Sequence, residues 1–234
     1  MERVGEQLAI WRSSLVTDIP IGGLIARNSI VYKWKGPWRC WLLREAAFWR
    51  ITELLTQSYM LHEQNQELGA RVLLRSSFET LAILIYLNQL IQRVLDGRVD
   101  FHEFSKKTSA LLLGSRDGST KHQAINIVSI LDKSEKRHPG ISKLYEILSE
   151  SAHPNFEGML GGYSKLDRDE YVTRFSSRWG DRYGASHLGS MELCMMTFDH
   201  EYSDYWPMLM DRLEDWIVEN DEILEATKKP SVEK

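Results

Sequence analysis

Cysteine is scarce in this chain of 234 residues, and the two cysteines, Cys40 and Cys194, stand far apart without a C-x-x-C partner. Their scarcity excludes a disulfide framework and a zinc knuckle, since both need several closely spaced cysteines. Each cysteine lies in an apolar helical pattern. We therefore expect two buried thiols in a reducing compartment, which predicts a cytoplasmic protein.

Long uninterrupted apolar segments are also lacking. The most apolar stretch, residues 72–95, is broken by charged and amide side chains, whereas a membrane span needs roughly 18 uninterrupted apolar residues. The first residues include Glu2, Glu6 and Arg12, where a signal peptide would have a basic start and an apolar core. The expectation is a protein that is neither secreted nor inserted in a membrane.

Common catalytic motifs are missing as well. The sequence has no H-E-x-x-H, P-loop, G-x-G-x-x-G or G-x-S-x-G motif, which argues against a zinc protease, a nucleotide hydrolase, a Rossmann enzyme and an esterase. With 43% apolar and 26% charged residues, the chain can bury one core without metals or disulfides. We expect a single helical domain over residues 1–227 and a flexible tail at 228–234.

Most of the sequence has the periodicity of α-helices. Apolar residues recur at helical spacing over about 37–66 and 68–95, and shorter helical patterns follow at about 100–113, 120–137 and 140–152.

The helical periodicity of apolar residues ends at Pro154. Glycines and aromatic residues fill the segment up to residue 186, in which 171–175 alternates like a short strand. A last long helix, kinked at Pro207, is predicted from about 187 to 227. The predicted fold class is an all-α bundle of about six helices with a long ordered loop and a minor β-hairpin.

Charge is unevenly distributed along the chain, although the net charge is only −4. Residues 192–225 hold eleven acidic residues against Arg212 alone, whereas 27–50 hold six basic residues against Glu45. This asymmetry predicts helix packing within the chain or across a homodimer, or else an RNA- or phosphate-binding face on the basic segment. A wholly nucleic-acid-binding domain would be basic overall.

The strongest candidate site lies at His153, where a helical pattern meets Pro154. Proline bars the preceding residue from helical dihedral angles, so His153 should be extended at a helix end. There it can act as a general acid or base near neutral pH, with Asn155 or Tyr163 as a hydrogen-bond partner. The alternative is a helix-terminating histidine that bonds a loop carbonyl.

Two further charged positions accompany this histidine. Arg75 and Glu79 lie one turn apart on the most apolar predicted helix, where charges need partners, so they form either a structural ion pair or part of a polar pocket. A glycine-bounded turn presents Arg116, which would meet phosphate or the carboxylate of Glu79 or Glu150.

Three short stretches carry a resemblance to a known group. RSSFET at 75–80, GSRD at 114–117 and LSESAHPN at 148–155 resemble a bacterial all-helical family of domains of unknown function allied to the HEPN superfamily. The similarity covers about residues 70–200. It implies a helical bundle, frequent homodimers and, in active members, metal-independent RNA cleavage by an arginine and a histidine four to six residues apart.

The leading hypothesis is a HEPN-like RNA-binding protein or ribonuclease of a bacterial stress or antiviral system. Its partner would be RNA. In the cleavage reaction a histidine would act as acid or base, and an arginine would stabilise the charge on the phosphate. The hypothesis assigns catalysis to His153, Arg75, Glu79 and Arg116, and substrate binding to Glu150, Asn155 and Tyr163. The alternative is a non-enzymatic helical interaction or oligomerisation module, and in both cases we expect a homo-oligomer.

The spacing of active HEPN members occurs twice here, in Arg116–His122 and Arg182–His187. Seventeen arginines and seven histidines would produce about one or two such matches by chance. The spacing therefore selects neither stretch.

A di-metal carboxylate bundle is the second alternative. Glu135-x-x-His138 and Glu150-x-x-His153 repeat the spacing of ferritin-like sites, with Glu53 and Glu79 as carboxylates from other helices. Prolines follow both histidines directly and place them at helix ends rather than in a bundle interior. No metal and no cofactor are therefore expected.

Overall fold

The computed structural model describes residues 2–228, which are mainly helical. The helices are α1 (Glu2–Ser13), α2 (Ile21–Arg27), α3 (Ser29–Lys33), α4 (Lys35–Glu63), α5 (Glu67–Leu95), α6 (Phe101–Leu113), α7 (Ile127–Glu135), α8 (Ile141–Ala152), α9 (Ala185–Asp199) and α10 (Trp206–Ala226). Three π-helical turns lie at Glu157–Gly161, Gly180–Gly184 and His200–Tyr205. Strands β1 (Ser164–Asp167) and β2 (Val172–Phe175) form one antiparallel hairpin.

The helical class and the minor hairpin are confirmed, but residues 2–228 form more helices than the six expected. The additional α1, α2 and α3 precede the first predicted helix, and two of them are too short to show a periodic pattern. The last predicted helix is divided by the turn at His200–Tyr205. Pro207 lies just inside α10, where its missing N–H costs little, so the interruption falls before the proline.

Backbone contacts group the chain into two compact units. Unit 1 holds the residues up to Leu15, Ala47–Ala82 and Val128–Phe198, and unit 2 holds Val16–Ala46, Ile83–Ile127 and the residues from Asp199 onward. The single domain over 1–227 stays a prediction. Apart from Lys228, the predicted tail at 228–234 lies outside the described residues.

The core of unit 1 contains an aromatic cluster and buried aliphatic side chains. The ring centroid of Trp11 lies 5.5 Å from that of Phe48 and 5.4 Å from that of Phe198. Leu55 of α4 and Leu74 of α5, which also belong to this unit, are fully buried. Each such side chain contributes about 1.5–3 kcal/mol through burial, which fixes the helices that carry the candidate site.

In unit 2, the basic and acidic segments pair with each other. Arg27, at the end of α2, lies 2.9 Å from Asp211 and 3.1 Å from Glu214 of α10. Lys33, at the end of α3, lies 2.6 Å from Asp221 and 3.2 Å from Glu225 of the same helix. These charges are thus paired within one chain, which was one of the predicted alternatives. The pairs use two of the six basic residues of 27–50, and self-association through the charged segments stays a prediction.

Both cysteines are free and buried, as predicted. Burial raises the pKa of the Cys40 and Cys194 thiols far above the ordinary value, so neither is a reactive thiolate at neutral pH. None of the helices within residues 2–228 has the length and apolarity needed to cross a bilayer.

Candidate functional site

The predicted site at the end of α8 has the expected backbone. His153 follows the helix in an extended conformation, with φ −91° and ψ 144°, and its N–H donates to the Ser149 carbonyl at 3.1 Å. A tight turn then returns the chain, because the His153 carbonyl accepts the N–H of Asn155 at 2.8 Å. At Gly158 a Cβ atom would lie 1.9 Å from the same carbonyl oxygen, so only glycine fits. The turn leaves the His153 side chain exposed.

Arg75 and Glu79 join α5 to α8 through a shared polar network. Nη1 of Arg75 lies 3.2 Å from Oε1 of Glu79, and its Nε donates to Oγ of Ser149 at 2.8 Å. The hydroxyl of Tyr145 accepts from Arg75 and donates to Glu79 at 3.0 Å. A carboxylate beside Arg75 was predicted, and this geometry confirms it.

Arg71, one turn earlier on α5, is the more deeply buried arginine. Its Nε donates to Oγ of Ser151 on α8 at 2.8 Å, and its guanidinium carbon lies 3.8 Å from the ring centroid of Tyr183. Burial lowers the pKa of Arg71 to about 10, although attraction to Glu157 and Glu67 opposes this shift. It therefore stays a cation at neutral pH, and no motif in the sequence distinguishes it from the other arginines.

The predicted substrate-binding residues have structural partners. Nδ2 of Asn155 donates to Oε2 of Glu150 at 2.6 Å, and its Oδ1 accepts the N–H of Gly158 at 2.9 Å, so Asn155 closes the turn after α8. Tyr163 is 38% exposed, and its ring meets Trp179 edge-on at 6.0 Å between centroids. Substrate binding by these residues stays a prediction.

Trp179 also constrains the chain before the hairpin. At Gly162 a Cβ atom would lie 2.3 Å from Cζ2 of the buried Trp179 ring, so the backbone passes directly against the indole. The glycine is required by this close approach.

Arg116 belongs to unit 2, whereas the other three predicted catalytic residues belong to unit 1. It is exposed in the loop between α6 and α7. In the same turn, Oδ1 of Asp117 accepts the N–H of Ser119 at 3.0 Å, and this bond lowers the pKa of Asp117. The turn is thus held by its own hydrogen bonds, and phosphate binding by Arg116 stays a prediction.

Glu135, a carboxylate of the di-metal alternative, caps the start of α8. Its Oε1 and Oε2 accept the N–H groups of Gly140 and Ser142 at 2.8 and 2.9 Å. These two bonds lower the pKa of Glu135. Because Glu79 is likewise held by Arg75, two carboxylates of that alternative have other partners.

A second polar cluster lies where α4 turns into α5, and its formation follows from the backbone. The N–H of Gln66 donates to the Leu61 carbonyl at 2.8 Å and that of Asn65 to the His62 carbonyl at 2.9 Å. Asn65 has φ 57°, so α4 ends in a Schellman motif with asparagine in the left-handed position. This reversal brings His62, near the end of α4, beside Glu67, which begins α5.

His187 of α9 completes this cluster. Nδ1 of His62 contacts Oε1 of Glu67, and Nδ1 of His187 lies 3.8 Å from Oε2 of Glu67. Burial, together with the nearby His62 and Arg71, lowers the pKa of His187 to about 4, so its ring is neutral at pH 7. We call His62, Glu67 and His187 the histidine–glutamate cluster.

Sequence reasoning missed this cluster because its members share no helix and no regular spacing. Of its three members, only His187 belongs to a pattern in the sequence, the Arg182–His187 spacing. In the structure Arg182 bonds Oε2 of Glu157 at 2.7 Å and the Gly161 carbonyl at 2.8 Å.

The β-hairpin has one charged and one apolar face. On the charged face, Nε of Arg174 lies 3.3 Å from Oδ2 of Asp167. The register pairs Ser164 with Phe175 and Leu166 with Thr173 on the other face. Leu166 and Phe175 are 58% and 76% exposed there. We call Leu166, Thr173 and Phe175 the apolar hairpin face.

No protein-family model matches the chain, and neither the curated proteins nor the solved structures include a match to it. The HEPN-like resemblance therefore rests on the short motifs alone and stays a prediction.

Proposed function

We propose that the protein is an interaction module that self-associates through the apolar hairpin face. The observation that carries this proposal is the exposure of Leu166 and Phe175, at 58% and 76%, on the same side of a short hairpin. The opposite side carries the Asp167–Arg174 ion pair and is suited to water. The hairpin is amphipathic, and on its apolar side Leu166 and Phe175 are exposed next to the buried Ser164.

A two-stranded hairpin is only marginally stable in water unless a further layer covers it. The surrounding segment, residues 156–175, adds more exposed apolar side chains, with Phe156 at 71%, Met159 at 57%, Leu160 at 53% and Tyr171 at 93%. These side chains all lie within one segment of the chain, and contiguous exposed apolar surface is characteristic of a binding site. Covering it would remove apolar area from water and stabilise the hairpin at the same time.

A second copy of the chain is the occupant that fits this face. In a two-fold interface the same patch meets itself, so Leu166 of one copy can pack on Phe175 of the other, and the reverse. The face bears no charge that would repel its own copy, because Lys165, Asp167 and Arg174 lie on the other side of the hairpin.

Light scattering after size-exclusion chromatography tests the proposal. The wild-type protein should have a dimer mass at about 100 µM and dissociate on dilution, as expected for micromolar affinity. Leu166→Asp and Phe175→Asp should be monomeric. Met196→Asp is the matched control, since Met196 is 64% exposed on α9 and lies outside the hairpin. A monomeric wild type, or a dimer unaffected by both hairpin substitutions, would overturn the proposal.

A HEPN-like, metal-independent ribonuclease or RNA-binding protein is the second candidate, and one observation favours it. His153 is exposed at the end of the helix to which Arg71 and Arg75 are hydrogen-bonded. It lies four residues beyond Ser149, the partner of Arg75. In this candidate His153 takes the proton of a ribose 2′-hydroxyl and an arginine stabilises the phosphate charge.

A further inference from the structure

We propose that the histidine–glutamate cluster binds one divalent transition-metal ion, with Zn²⁺ the best match. Each of its three residues offers one ligand atom, and these atoms lie within 4.8 Å of one another. Two histidines and one carboxylate are a ligand set that zinc uses with a fourth position left for water.

The first argument is that two buried acceptors face each other without a donor. Oε2 of Glu67 and Nδ1 of His187 have no hydrogen-bond partner among the described residues. Their residues are only 3% and 1% exposed. Leaving such atoms unsatisfied costs about 1–3 kcal/mol each, and more for a charged group. A cation between them would satisfy both.

The second argument is the tautomer of His187. Oγ of Ser58 donates its single proton to the Ala70 carbonyl at 2.7 Å. In its 3.1 Å contact with Nε2 of His187 the same oxygen must therefore accept, which places the ring proton on Nε2. Nδ1 of His187 is left with a free lone pair pointing towards Glu67. A histidine whose second nitrogen is held by such a bond is the usual form of a metal ligand.

The third argument is distance. With zinc bonds of 2.0–2.2 Å, two ligands at a tetrahedral angle are separated by about 3.4 Å. The 3.8 Å between Nδ1 of His187 and Oε2 of Glu67 is close to this value. His62 stands at the other carboxylate oxygen, so small side-chain rotations suffice to bring three ligands to one ion.

Ligand type narrows the choice of ion. Imidazole nitrogens favour zinc, copper, iron and nickel, whereas magnesium and calcium prefer sites made of oxygen atoms. The cation of Arg71 opposes metal binding, since it interacts with both His187 and Glu67. Glu157 offsets part of that charge through its attraction to Arg71.

Isothermal titration calorimetry of the purified full-length protein measures the binding of Zn²⁺. The visible absorption spectrum of bound Co²⁺ reports the coordination geometry. We expect one ion per chain and a cobalt spectrum typical of tetrahedral coordination. Zn²⁺ should also raise the melting temperature, since an ion that binds only the folded state stabilises it.

Variants identify the ligands. Glu67→Gln keeps the shape of the side chain and a hydrogen bond to His62, but it should weaken Zn²⁺ binding more than about tenfold. His187→Gln should weaken Zn²⁺ binding to a similar extent. Ser58→Ala removes the support of His187 and should weaken binding by about 10–100-fold. His200→Gln, which replaces an exposed histidine outside the cluster, should bind like the wild type, and circular dichroism verifies the fold of each variant.

Absence of stoichiometric Zn²⁺ and Co²⁺ binding in the wild type would overturn the proposal and leave a hydrogen-bonded cluster of structural importance only. Binding that is unchanged in Glu67→Gln would overturn it too, because the ion would then lie elsewhere. If His187→Gln fails to fold, the comparison of Glu67→Gln with His200→Gln decides.

Discussion

The guanidinium carbon of Arg71 lies over the ring of Tyr183, 3.8 Å from its centroid. Tyr183 belongs to the π-helical turn Gly180–Gly184, which leads directly into α9. The contact therefore ties α5 to the start of the helix that carries His187. It also gives a buried cation a favourable partner in a place with little water.

Replacing Tyr183 by leucine should lower the free energy of unfolding by about 1–2 kcal/mol, because a desolvated cation–π contact is lost. Tyr183→Phe keeps the ring and should be nearly neutral. Urea denaturation followed by circular dichroism measures both. Equal stability of the leucine and phenylalanine variants would show that the ring face contributes nothing.

Tyr145→Phe should destabilise the protein by about 1 kcal/mol, since its hydroxyl bonds both Arg75 and Glu79. The matched control is Tyr171→Phe, because Tyr171 is 93% exposed and should be unaffected by loss of its hydroxyl. Urea titrations of the two variants give the comparison. Identical midpoints would mean that the network does not link α5 to α8 energetically.

Stability should depend on pH through Glu135. Its two backbone hydrogen bonds lower its pKa in the folded state below the ordinary value of 4.5. Its contribution is therefore complete above pH 4.5 and is lost as the pH falls through the lowered folded pKa. Glu135→Ala should have a lower melting temperature than the wild type at pH 7, and this difference in melting temperature should become smaller in acid.

The control for this experiment is Glu146→Ala, which removes a carboxylate that is 67% exposed on α8. It should leave the melting temperature at pH 7 nearly unchanged. If the difference in melting temperature between Glu135→Ala and the wild type stayed constant from pH 7 to strong acid, the capping role would be contradicted.

If the second candidate function is correct, the wild type should cleave RNA in the presence of EDTA, and His153→Ala should abolish cleavage while its circular dichroism stays the same. His200→Ala, at another exposed histidine, should remain active. Single-stranded and structured RNA are the substrates. Cleavage by His153→Ala at the wild-type rate would remove His153 from the reaction, and an inactive wild type that binds no RNA would favour the interaction module.

Local signals predicted several helices well. The pattern at about 100–113 predicts α6, which in the structure begins after Asp100, whose side chain accepts the N–H groups of His102 and Glu103. Pro154 predicts the end of α8. The histidine–glutamate cluster could not be predicted in this way. It depends on the left-handed Asn65 and on the packing of α9, and neither leaves a periodic pattern in the sequence.

The crowding at Gly158 and Gly162 has a consequence for finding relatives of this protein. A side chain at either position would collide with the His153 carbonyl or the Trp179 ring, so evolution can replace neither glycine without rebuilding the turn. Divergent homologues should therefore retain the pattern His-Pro-x3-Gly-x3-Gly followed by a downstream tryptophan, even where the exposed residues between them have changed beyond alignment.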